Sequence, residues 1–321
     1  MRYLVSMVLV FCLMGCGTSI RDNWDENEGV RSAKEGIQQT TTPKYGFYVG
    51  ASISTTLANG EQTYESGIYG SSKADGALTK FLDLDGKDRL IDSFAVDAQG
   101  NIYWTDRSVH GIFVADRNGN NRRLLLSGLD IPFGIVLDEE HGRLYWSNWL
   151  QSQSPQKGEV GYISLSDGKA VRIVTEGLQS GGHLLIDTVR NRLYIADLMG
   201  GKILSVALDG GALQTVVDIN HASAPEQMAL DATGKSLFWA DIAEDKIAKV
   251  DLETLVVQDL DTFNDAFANP EALTYDKKTN KLYFVTMENG QSVLWRMNPD
   301  GSNKESVNTT LPKAIFKIIL R

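Results

Sequence analysis

Glu226 and Glu271, each preceded by a proline (Pro225 and Pro270), and His183 are the side chains of this 321-residue chain best suited to hold a divalent cation. Carboxylate oxygen and imidazole nitrogen are common ligands of such ions. Lys313 also follows a proline, and Trp149 lies in the polar stretch NWLQSQSPQK (148–157). That stretch reads as an inserted loop, so Trp149 is expected to be exposed and suited to a carbohydrate or peptide contact. Arg107, His110, Met287 and Glu288 fall in comparable loops. Other constellations are missing: there is no G-x-S-x-G elbow, no H-E-x-x-H and no Gly-rich phosphate loop. The two cysteines, Cys12 and Cys16, both stand at the N-terminus, and His110, His141 and His221 have no motif spacing. A formal net charge of −10 argues against a phosphate backbone as partner, and nucleic acid is set aside.

What must position these residues is a repeat. Five segments share one pattern, an apolar strand ending in Asp, a short polar turn and a second strand opening on an aromatic: FAVDAQGNIYWTD (94–106), GIVLDEEHGRLYWSN (134–148), HLLIDTVRNRLYIAD (183–197), QMALDATGKSLFWAD (227–241) and ALTYDKKTNKLYFVT (272–286). The aromatics Tyr103, Tyr145, Tyr194, Phe238 and Tyr283 are separated by 42, 49, 44 and 45 residues, the length of a four-stranded propeller blade. Each copy continues into two further strand-like segments joined by Asn-Gly or Asp-Gly turns. Residues 46–83 supply three strands of one more unit but no first strand, and TLPKAIFKIIL (310–320) has the look of the missing one. The expectation is an all-β, six-bladed propeller of four-stranded antiparallel blades, closed by the C-terminal strand joining the N-terminal blade. Closure removes exposed sheet edges.

Within such a strand Tyr103 and Thr105 point one way and Trp104 and Asp106 the other. Trp104, Trp146 and Trp239 are expected to fill the wedge between blades, and the recurring Asp97, Asp138, Asp187, Asp231 and Asp276 to form turns. A site should therefore lie where the repeat is broken, at the mouth of the central channel. At the place after the proline or its equivalent, the six units read Asp92, Phe133, Gly182, Glu226, Glu271 and Lys313, with His183 one step inward. A second insertion, SISTTLANGEQTYES (52–66), reaches the same face.

Tyr103-Trp104-Thr105-Asp106, the flanking Val-Asp, Pro270-Glu271-Ala272 and the run Asn118 to Leu125 resemble the YWTD, or class B, repeat of the low-density lipoprotein receptor family, a six-bladed propeller. The resemblance covers about residues 46–320 and weakens to Phe47-Tyr48-Val49-Gly50 in blade one. An intact repeat scaffold with variable rim residues and no acid–base set points to a noncatalytic binding protein that docks a protein or a glycan at the channel mouth, through Trp149, Glu226, Glu271, His183, Lys313, Phe133 and Asp92. The alternative is a metal-dependent hydrolase or lactonase, because Glu226, Glu271 and His183 also resemble the channel metal set of gluconolactonase-like propellers.

Met1-Arg2 and the apolar run Tyr3 to Leu13 have the layout of an export signal, too short to span about 30 Å of hydrocarbon. Leu13-Met14-Gly15-Cys16 resembles the lipobox of bacterial lipoproteins. The organisation expected is a signal peptide over 1–15, a lipidated Cys16 with a polar tether over 16–44, and the propeller over 45–321. By that resemblance the chain would be lipid-anchored in a bacterial cell envelope, at the outer membrane.

Overall fold

In a computed structural model of the chain, the described residues are 46–321 except 57–61, 84–88, 154, 220–222 and 264–268, and the side chains of 53–56 and 62–64 are likewise outside it. The signal, Cys16, the tether and His221 thus lie outside the described residues.

Among the described residues, alternation of apolar and polar residues with Gly- and Asn-rich turns yields twenty-four strands in six four-stranded sheets. Blade one begins with β1 (Phe47–Thr56), β2 (Gln62–Ser71) and β3 (Thr79–Asp83). Blade two holds β4 (Phe94–Val96), β5 (Ile102–Asp106), β6 (Gly111–Ala115) and β7 (Arg123–Leu126). Blade three holds β8 (Ile131–Asp138), β9 (Arg143–Leu150), β10 (Lys157–Ser164) and β11 (Ala170–Val174). Blade four holds β12 (Leu184–Asp187), β13 (Arg192–Asp197), β14 (Lys202–Ala207) and β15 (Gln214–Asp218). Blade five holds β16 (Pro225–Leu230), β17 (Ser236–Asp241), β18 (Lys246–Asp251) and β19 (Val257–Thr262). Blade six holds β20 (Ala272–Asp276), β21 (Lys281–Glu288), β22 (Gln291–Met297) and β23 (Glu305–Ser306). The last strand, β24 (Ile315–Leu320), pairs antiparallel with β1, Tyr48 opposite Ile319, and completes blade one as expected.

Six apolar clusters sit between successive blades, and the two motif aromatics serve opposite neighbours. Trp104 packs with Tyr48, Ile68 and Leu82 of blade one, whereas Tyr103 packs with Ile135, Leu144 and Trp146 of blade three. Phe47, Val49 and Ile318 meet Ala272, Tyr283 and Val285 of blade six, sealing the ring. Trp104, Trp146 and Trp239 are buried, and their indole N–H groups have no hydrogen-bond partner among the described residues. Packing holds them, and the Arg172 guanidinium stands 5.8 Å from the Trp146 ring centroid.

The recurring aspartates form turns. Asp97 accepts from the backbone N–H of Gln99 and Asn101, Asp187 from Arg190, Asp231 from Lys235 and Asp276 from Lys278. Asp138 accepts from His141 N–H, and the His141 ring stands 2.8 Å from the same carboxylate, so this histidine belongs to a turn.

Blade one departs from the expected alignment by one residue. The register shift between third and fourth strands falls at Ile112/Phe113 in blade two and at Ile68/Tyr69 in blade one, where Phe113 and Tyr69 stand opposite Trp104 and Val49. Tyr48-Val49-Gly50-Ala51 therefore takes the place of Tyr103 to Asp106. Gly50 is required there because a Cβ would stand 2.4 Å from the Phe316 ring.

Candidate functional site

The innermost strands β4, β8, β12, β16, β20 and β24 bring one residue from each blade to each level of the channel. Their pairing with the second strands fixes which residues are equivalent. Phe94, Ile135, Leu184, Met228, Leu273 and Ile318 stand opposite Trp104, Trp146, Ile195, Trp239, Phe284 and Val49. Two residues earlier, at the mouth, the ring reads Asp92, Phe133, Gly182, Glu226, Glu271 and Phe316. One residue earlier, the layer beneath reads Ser93, Gly134, His183, Gln227, Ala272 and Lys317.

This register corrects the expectation for Lys313. Counting from Pro312 put Lys313 in the ring, but the residue equivalent to Pro132, Pro225 and Pro270 is Ile315, and Lys313 lies exposed ahead of β24. Gly182 leaves a gap in the ring for a physical reason: a Cβ there would lie 1.8 Å from the Ala196 carbonyl oxygen.

In the mouth ring the Asp92 carboxylate accepts from Arg107 at 2.8 Å through Oδ1, while Oδ2 is buried with no hydrogen-bond partner among the described residues. Burial pushes the Asp92 carboxyl up to about 6, against the opposing pull of Arg107 and His183. Burial, reinforced by the like charge of Glu226, pushes Glu271 up to about 8. His183 Nε2 stands 3.0 Å from Glu226, and Phe133 meets the imidazole edge-on at 4.8 Å between centroids.

The layer beneath ties adjacent and next-but-one blades around the axis. Gln227 donates its amide to the Phe316 carbonyl at 3.1 Å and lies 2.9 Å from His183 Nδ1. Lys317 donates to Ser93 Oγ at 3.0 Å and to the Ile135 carbonyl at 3.2 Å, and desolvation lowers its ammonium to about 7. Beside the mouth lies a cavity of about 350 Å³ lined by Asn269, Glu271, Met287, Gly290 and Ala314.

Several expectations change in the structure. Trp149 is not on an exposed loop: β9 runs on to Leu150 and β10 starts at Lys157, so the insertion shrinks to a tight connection. Trp149 is only 4% exposed and packs with Ile131, Phe133 and Met199. An apolar side chain at the end of a lengthened hairpin gains more by folding onto its own blade than by facing water. The 52–66 insertion likewise lengthens the β1–β2 hairpin, which pairs from Phe47–Ser71 out to Thr56–Gln62. Glu226 and His183 do come together, and Asp92 and Phe133 join them at the mouth. Among the described residues, however, no three His, Cys, Asp or Glu side chains are grouped so as to hold a metal ion, and Glu271 is not gathered with the His183–Glu226 pair into a ligand set.

Gln227, Phe316 and Lys317 were missed as channel residues. The lone lysine inside IFKIIL was the available signal, since an innermost strand has little reason to carry a charge. Arg107, only a loop candidate, turns out to hold Asp92. His110 caps the turn after Arg107–Val109 in a left-handed conformation and its ring meets the Asp130 carbonyl at 2.6 Å.

Comparison with known proteins agrees with this architecture. The low-density lipoprotein receptor repeat class B pattern matches residues 100–139, which run from β5 into β8. The vitellogenin receptor of Solenopsis invicta is 32% identical over 144 residues, 44% of this chain and 8% of that receptor. Low-density lipoprotein receptor-related protein 5 of Homo sapiens is 34% identical over 179 residues, 55% of this chain and 11% of that protein. The chain thus spans a small part of the length of these relatives. Among solved structures, a chain of a nidogen/laminin complex superposes with a TM-score of 0.66 at 18% identity, covering 85% of this chain and 97% of that one. TolB from Acinetobacter baumannii gives 0.60 at 14%, covering 85% and 65%, and virginiamycin B lyase from Staphylococcus aureus 0.59 at 16%, covering 86% and 89%. At such identities these structures speak for the fold alone.

Proposed function

We propose that this chain, a six-bladed propeller carrying the class B repeat of low-density lipoprotein receptors, is a noncatalytic module that docks a protein partner at the mouth of its channel. The observation that carries this reading is the mouth ring itself. At one equivalent position at the start of six innermost strands, or just ahead of them, stand Asp92, Phe133, Gly182, Glu226, Glu271 and Phe316, whereas the aromatics and aspartates around them recur and are absorbed by packing and turns. Variation at one equivalent place on a uniform scaffold is how a binding surface is written onto a fold. Similarity to receptor proteins supports a protein as the partner. The apolar N-terminal run and Cys16 support a location at a bacterial envelope, with the module tethered through lipid on that cysteine.

The test is site-specific photocrosslinking in cells. A photoreactive residue at Ser152, in the mouth-side connection of blade three, is expected to give a defined protein adduct in the membrane fraction, released to the soluble fraction by Cys16→Ala. The same group at Val189, 93% exposed in a turn at the other end of the strands, should give none. Adducts from Val189 alone, or from neither position, would overturn mouth docking.

A further inference from the structure

At the end of the ring opposite the mouth, between blades six and one, lies a cavity of about 480 Å³, within the size range of small-molecule sites. Its place follows from the clasp. β24 runs from the mouth to this end and Phe47 stands opposite Leu320, so Gly46, through which the chain enters β1, lines the cavity. Five basic side chains share the lining, Lys73, Lys277, Lys278, Arg296 and Arg321, against two acids, Asp75 and Asp276. In a chain of formal net charge −10 this local balance is reversed. Lys73 pairs with Asp75 at 3.0 Å, Arg296 with Glu305 at 2.8 Å and Arg321 with Glu139 at 2.9 Å, while Lys278 donates to the Arg321 carbonyl at 3.1 Å. Among the described residues Lys277 has no hydrogen-bond or ion-pair partner, and Asp276 is already committed to its turn, accepting from the Lys278 N–H and the Thr279 hydroxyl. The lysines and Arg321 are exposed at the rim, and Tyr275, Tyr283 and Val307 are buried beneath them.

The lining selects the kind of ligand. A basic rim over an apolar floor fits a molecule that joins a phosphate to a short apolar continuation, whereas an inorganic anion would use the rim alone. Two observations favour a lipid as the source. Aliphatic side chains project from turns at this same end: Val189, 93% exposed between β12 and β13, and Leu255 and Val256, 53% and 64% exposed between β18 and β19. Leu255 holds φ 58° at the place that Gly168 fills with φ 74° in the matching turn of blade three, so an apolar side chain is kept there against the preference of its backbone. The acids of the mouth ring stand at the far end, so an anionic membrane meets the least repulsion here. We infer that this cavity receives the phosphate of an anionic phospholipid headgroup, seating the clasp end of the propeller on the membrane and turning the mouth away from it. The inference goes beyond mouth docking and rests on the membrane location proposed above.

Calorimetric titration of the purified chain with dihexanoylphosphatidylglycerol below its micelle concentration, with dihexanoylphosphatidylcholine and with inorganic phosphate tests the inference. The anionic lipid is expected to bind at least about tenfold more tightly than either of the others, and to weaken as salt is raised. Lys277→Gln should weaken it about fivefold, and Lys277→Gln combined with Lys278→Gln by more than about tenfold, with unchanged circular dichroism. If the double variant fails to fold, the single one decides. Equal binding of the two lipids, no binding of the anionic lipid, or indifference of a folded variant would overturn the inference. Inorganic phosphate binding as tightly as the anionic lipid would also overturn it, marking a site for a free anion. A chain that fractionates as soluble from cells yet binds the anionic lipid would leave this site standing while removing the tether at Cys16. A membrane-bound chain that ignores the lipid would do the reverse.

Discussion

Lys317 shows how much one side chain can cost when the fold buries its charge. Its ammonium is satisfied by neutral partners, Ser93 Oγ and the Ile135 carbonyl, and desolvation lowers it to about 7 from 10.5. In the unfolded chain the same group stays charged in water to well above pH 9. Below about 7 the folded state therefore carries the full penalty of a buried ammonium, and the penalty fades as pH rises toward 10.5, where both states are neutral. Lys317→Met is expected to stabilise the protein at pH 6 by about 1–3 kcal/mol, the gain shrinking almost to nothing by about pH 10. Melting curves across that range check it: a gain independent of pH would mean that packing, not charge, sets the effect. His183 and Glu226, a titratable pair of the channel, should be carried as controls, since Gln227 links His183 to the same strand.

At the scale of elements, the end of the second strand in blades three, four and five anchors the entry to its own blade. Asp197 at the end of β13 accepts from the backbone N–H of Gln179, Ser180 and Gly200 and from Ser180 Oγ. Asp241 does the same for Ala224, Ala243 and Glu244, and Asn148 accepts from Asp130 N–H in blade three. Asp197→Ala would orphan these buried donors and is expected to cost about 2–4 kcal/mol, read from urea unfolding. An exposed turn acid, such as Asp300, should cost under about 1 kcal/mol in the same measurement. Asp197 also holds the segment leading to Gly182 and His183, so the protein adduct at Ser152 should weaken with it.

At the scale of the molecule, the six interblade clusters form one closed series only because β24 lies beside β1. Deleting 315–321 would strip Ile315 and Ile318 from the cluster between blades one and six and expose the edge of β1. The expected outcome is loss of cooperative unfolding and recovery in the void volume on gel filtration, since an open hydrophobic edge invites pairing between chains. A monomeric truncated protein with an unchanged melting temperature would show that the clasp is dispensable.

Period, blade number and terminal closure were legible in the sequence because they rest on local alternation and on turn residues, which each repeat states independently. The aspartate turns and the interblade aromatics were legible for the same reason. The mouth was only half legible. Asp92, Phe133, Glu226 and His183 followed from counting within blades, but Phe316 and Lys317 did not, because register in the clasp is decided by hydrogen bonding to a strand over 260 residues away, with a shift at Gly50/Ala51. Trp149 could not be placed either, since NWLQSQSPQK is polar enough to read as a loop, and only the neighbouring Ile131, Phe133 and Met199 give the indole a reason to be buried. Local patterns determine strands; which charges end up desolvated together depends on distant strands brought to one axis, and that only the tertiary structure decides.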